Sequence, residues 1–115
     1  MKPVNIVVFT SLTDQAVGLL RYRTVPPNTL FLFKHIGQNR TLTTRGMHEP
    51  IRVVFMSADL KIIAPIPHLS SFGFEEVVAP GHTLAVPKDT EHVIEASEHT
   101  AIIANLNNKN VRALL

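Results

Sequence analysis

The chain has no cysteine and no tryptophan, one tyrosine and five glycines in 115 residues. Without cysteine there are no disulfides, thiolate zinc sites, iron–sulfur clusters or cysteine nucleophiles. The core must therefore be closed by packing alone, and 115 residues suffice for that in a single domain, 1–115. Charge is sparse too: 17% of residues are charged against 45% hydrophobic, a balance that excludes a disordered chain. The formal net charge is only +2, so the sequence pI near 9.3 rests on a small surplus and gives no strong nucleic-acid signal. No apolar run is long enough to span a membrane, and Met1–Gln15 lacks the apolar core and cleavage site of a signal peptide. The expected location is the cytoplasm or a virion, with no membrane partner.

What charge there is falls unevenly. Arg21, Arg23, Lys34, Arg40 and Arg45 lie in the first half, and Glu75, Glu76, Asp89, Glu91, Glu95 and Glu98 in the second. This asymmetry fits a surface that meets a neighbour's opposite face, in self-association or with a protein partner.

Short β-rich runs punctuated by turn residues dominate the pattern. Strands are expected over Val4–Thr10, Thr29–Lys34, Arg40–Arg45, Ile51–Met56, Lys61–Ile66, Glu75–Ala79, His82–Val86 and Thr100–Asn105. In Thr29–Lys34, Leu30 and Leu32 alternate with Phe31 and Phe33, which implies cover on both faces. Ser57–Leu60 reads as a hairpin turn, and Pro65 and Pro67 place the strand after it at an edge or end it early. A short capped helix is expected over Asp14–Leu20, and a second over Pro87–Ala96, with Pro87 at its first position. The fold class is mainly β, a β-sandwich or partly open barrel of about seven or eight short strands with one or two short helices.

The run Gly18-Leu19-Leu20, Arg21, Arg23, Val25-Pro26-Pro27 and Leu30-Phe31-Leu32-Phe33 is the most distinctive part of the chain. It is followed by Pro50–Phe55, Ala58-Asp59 before Ile62-Ile63, and Thr83–Pro87. In that order these motifs resemble the small bacterial and archaeal family catalogued as domain of unknown function 192, along nearly the whole chain. The resemblance implies a β-rich fold and little about activity, since the shared motifs are structural. The chain departs from the family at Thr43, Thr44 and Gly46, within a stretch where the family carries an aromatic-Met-Lys-Asn run, and at Arg52, where an acidic residue is usual. A site built on those family residues would be lost or changed here. Many relatives carry export signals or lipid anchors that this sequence does not show, and stand-alone copies of this size resemble phage-encoded ones.

No catalytic signature stands out. Ser57, Ser70 and Ser71 lack a nucleophile-elbow glycine pattern, and no phosphate-binding or dinucleotide fingerprint occurs. Glu75 and Glu76 would alternate across a strand, while Glu91 and Glu95 would sit one helical turn apart on a solvated face. Of the six histidines, His82 and His92 flank a stretch like the second motif of a cupin barrel, with His68 as a third candidate. The paired histidines and glutamate of the first cupin motif are missing, so metal binding there is the weaker alternative and no cofactor is expected. Arg21-Tyr22-Arg23 is the one basic–aromatic trio; with Arg45 and the loop aromatics Phe72 and Phe74 it forms the candidate interaction set. The sequence leans away from an enzyme. It favours a non-enzymatic interaction module, most concretely a small accessory protein of a larger assembly such as a phage capsid or tail.

Overall fold

The structure, a computed structural model, describes residues 4–9, 25–37, 41–63, 76–106, 109 and 113–114. Within them run β1 (Asn5–Phe9), β2 (Thr29–Phe33), β3 (Thr41–Thr43), β4 (Ile51–Met56), β5 (Ile62–Ile63), β6 (Glu76–Val78), β7 (Thr83–Ala85), β8 (His92–Ser97) and one short helix, α1 (Ile102–Leu106). The expected mainly-β class is what the chain adopts.

A six-stranded mixed sheet carries the domain in the order β1-β2-β8-β4-β5, with β6 also pairing to β4. β1 and β2 are parallel, with Asn5 opposite Thr29 and Phe9 opposite Phe33. The other pairings in this sheet are antiparallel. β4 is central because it is shared. One side pairs with β8 from Ile51–Ser97 to Met56–His92. Along the other side β6 pairs with Ile51–Val53 and β5 with Phe55 and Met56. β3 and β7 form a separate two-stranded sheet, with Leu42 opposite Leu84.

Side-chain alternation splits the core in two. On one face Phe9, Phe31, Phe33, Ile51, Val53, Phe55 and Val93 gather with Leu42, Met47 and Val86 of the small sheet and its flanks. On the other, Leu30, Leu32, Val54, Met56, Ile94 and Ala96 are covered by Ile102 and Leu106 of α1. The double cover expected for Thr29–Lys34 is thus present, and all five residues of β2 are buried. Phe9 stacks on Phe31 and Phe33, with ring centroids 6.1 and 4.9 Å apart.

The hairpin at Ser57–Leu60 forms as expected. Ser57 N donates to Lys61 O and Lys61 N to Ser57 Oγ, while Leu60 takes a φ of 63°. β5 follows it over Ile62–Ile63, and Pro65 and Pro67 lie outside the described residues.

Two expectations are overturned. The helix proposed over Pro87–Ala96 is instead a turn followed by β8, because ladders to β2 and β4 on both sides outweigh the helical preference of its Glu and Ala residues. The strand proposed over Thr100–Asn105 is instead the start of α1: Ile102 and Leu106 lie four apart and bury one helical face on the sheet. The helix expected over Asp14–Leu20 lies outside the described residues.

Candidate functional site

Two polar features sit at the ends and centre of β8. At its start, the chain leaving β2 is held along Glu91 by Ile36 N donating to Glu91 O at 3.0 Å, while Glu91 N donates to Met56 O at 2.8 Å. This places His35 in the left-handed region, at φ 54°, a costly position for a bulky residue. Its amide donates to Nδ1 of His92 at 3.3 Å. Because that nitrogen accepts, the proton of neutral His92 lies on Nε2. The His35 ring meets the His92 ring edge to face, centroids 5.1 Å apart, and His35 Nδ1 bonds Glu91 Oε1 at 2.9 Å. His92 is buried, and burial first, then nearby His35 and Lys34, hold its imidazole below the ordinary value against the opposing pull of Glu91. The carboxylate bonds one ring nitrogen of an exposed His35, an arrangement shared by general bases and by metal-binding imidazoles. Among the described residues, however, no group of three or more His, Asp or Glu side chains converges to hold a metal.

At the centre of β8, Glu95 is only 6% exposed. Its register partners are Phe31 on β2 and Val53 on β4, both fully buried. Burial alone pushes its carboxyl up to about 8, so the acid is largely protonated at neutral pH. The expected Glu91–Glu95 pair on a solvated helix face does not exist: Glu91 bonds His35, and Glu95 lies inside the core.

A third polar centre is Thr44, fully buried after β3. Its Oγ1 donates to Ala79 O at 2.7 Å and accepts from His82 N at 3.0 Å, while its carbonyl accepts from Met47 N and Gly81 N. Gly46 completes the turn at φ 89°, a conformation that glycine adopts without strain. Thr43 is used in the same turn: its Oγ1 accepts from Arg45 N at 3.2 Å. Arg52 is likewise committed, its Nε donating to Glu98 O.

Of the sequence-derived interaction residues, Arg45 is exposed in this turn. Arg21, Tyr22, Arg23, Phe72 and Phe74 lie outside the described residues, as does His68 of the metal alternative. His82 is exposed beside β7 and bonded through its backbone to Thr44, whereas His92 is buried and bonded to His35. The histidine that does join His92 is His35, 57 positions away in sequence, and no spacing rule would have paired them.

No family model and no curated protein matches the chain. In fold it is similar to a protein of unknown function from Novosphingobium aromaticivorans, with a TM-score of 0.61 and 15% identity over 92% of this chain and 70% of that one. At that identity the likeness concerns the fold alone.

Proposed function

We propose that the chain is a non-enzymatic β-rich interaction module, most concretely a small accessory or structural protein of a larger assembly such as a phage capsid or tail. The observation that carries this reading is the outer strand β1. Among the described residues it pairs on one side only, with β2, and it exposes Val8 at 39%. An outer strand with a free ladder edge and an apolar β-branched side chain is a template for pairing with another chain. The outer strand β6 adds Val77, 50% exposed. By register, Val8 and Val77 lie on the face that α1 covers, at opposite margins of the sheet. No helix among the described residues is long and apolar enough to cross a membrane.

Size-exclusion chromatography with light scattering, combined with cross-linking to purified particles, tests the reading. Self-association or particle association supports it; a monomer that binds no particle counts against it.

A second reading, a cupin-like metal-dependent or small-ligand-binding protein, draws on the carboxylate-oriented His35 beside His92. It predicts stoichiometric metal in protein purified without a tag, and elemental analysis finding none removes its metal-dependent form.

A further inference from the structure

Glu95 stands at the middle of the strongest part of the fold. β8 is paired on both sides, and the carboxyl points to the face shared with the small β3–β7 sheet. The residues flanking it there are Phe31, Val53 and Val93, all in the apolar cluster that also holds Leu42, Met47 and Val86. Among the described residues the small sheet shares no ladder with the large one; packing within that cluster covers the face. No basic group among the described residues stands beside an ionised carboxylate on this face. β1 contributes Asn5, Val7 and Phe9; β2 contributes Thr29, Phe31 and Phe33; β4 contributes Ile51, Val53 and Phe55; β5 contributes Ile63. β6 pairs with this side of β4 through Glu76, in register with Val53. From the small sheet and its turns, Arg45, His48, His82, Lys88 and Asp89 are exposed, and Glu49 accepts from Val25 N.

We propose that Glu95 is a proton-linked latch: its neutral carboxyl lets the small sheet close on the central sheet, and its ionisation releases the small sheet while the β2-β8-β4 ladders remain. The small sheet gives way first because its strands are three residues long and, among the described residues, share no ladder with the large sheet, whereas β8 is held by two ladders.

The direction follows from linkage. The closed form binds the proton up to pH about 8 and the released form only up to the ordinary value of 4.5. Release is therefore least favoured below pH 4.5, grows as pH rises through this window, and levels off above it.

Hydrogen exchange of wild type, Glu95→Gln and Glu95→Leu between pH 5 and 9 tests this, with rates corrected for their intrinsic pH dependence. The amides of Thr44, Met47, Gly81 and His82 report on the small sheet, since each is bonded within it or its turns. The expected result is about a tenfold rise in opening per pH unit up to pH 8 and a plateau beyond, confined to those amides in wild type. Both variants should be flat, and Glu95→Leu covers the case in which the buried amide of Glu95→Gln does not fold. Amides of β4 and β8 rising in parallel with the small sheet would mean global unfolding and overturn the latch. A flat wild-type profile, or one that the variants share, would overturn it equally.

Discussion

The backbone amide of His35 donates to Nδ1 of His92 at 3.3 Å, which ties the end of β2 to the start of β8 through a nitrogen that accepts only while unprotonated. Burial keeps the His92 imidazole below its ordinary value of 6.5, so the unfolded chain takes up this proton before the folded one does. The contribution to stability is complete above pH 6.5 and is lost as pH falls from there toward the folded-state value. Urea denaturation at pH 7.5 and at pH 5 should show the loss in wild type. His92→Asn, whose amide oxygen can take the place of Nδ1, should reduce the difference between the two pH values.

Glu95 gives the opposite slope on the same strand. Between pH 4.5 and about 8 the folded state holds a proton that the unfolded chain releases, so stability falls as pH rises. The slope is at most about 1.4 kcal/mol per pH unit. Glu95→Leu should remove it and melt higher than wild type at pH 8, with a smaller gain at pH 5. Thermal melts at both pH values check this, and an equal effect at the two would contradict the buried-acid account.

Thr44 makes a claim about the small sheet. Thr44→Val keeps the shape but removes the donor to Ala79 O and the acceptor for His82 N. With both groups left unpaired in a buried turn, the expected cost is about 1–3 kcal/mol. Thr44→Ser should lose less, because it keeps the hydroxyl. Chemical denaturation of the three proteins ranks them.

Phe55 tests the central strand. Its ring is fully buried on β4, between Val93 of β8 and Ile63 of β5 in register. Phe55→Ala should cost about 3–5 kcal/mol, a large part of the roughly 5–15 kcal/mol that holds a domain together. Circular dichroism during denaturation should show a transition shifted far toward low denaturant, or none.

Where the sequence carried strong local pattern, it could be read. The β2 run Thr29–Phe33 announced two covered faces, and Ile51–Met56 announced a strand; both hold. Reading failed where pairing partners decide. Residues 91–96 combine Glu, Ala, Val and Ile, and only the presence of β2 and β4 on either side makes them a strand. Thr100–Asn105 is rich in isoleucine, yet the four-residue spacing of Ile102 and Leu106 was the better signal, because it matches a helical face. The polar centres were less legible still. His35 meets Glu91 and His92 across more than half a hundred positions, and Glu95 looks like a surface acid until its strand is placed in mid-sheet. Thr44 carries no local signal of its role in the turn, because its partners Ala79 and His82 lie far along the chain.

The proposed association runs through the outer strand β1. Val8, exposed on that strand, is the residue to change, since a lysine on an edge strand opposes pairing without touching the core. The most direct measurement is light scattering after size exclusion, with cross-linking to purified particles, for wild type and Val8→Lys at equal concentration and matched thermal stability. The account predicts that wild type self-associates or binds the particle and that Val8→Lys does so at least tenfold more weakly. A wild type that stays monomeric and binds no particle, or association that the lysine leaves unchanged, would contradict it.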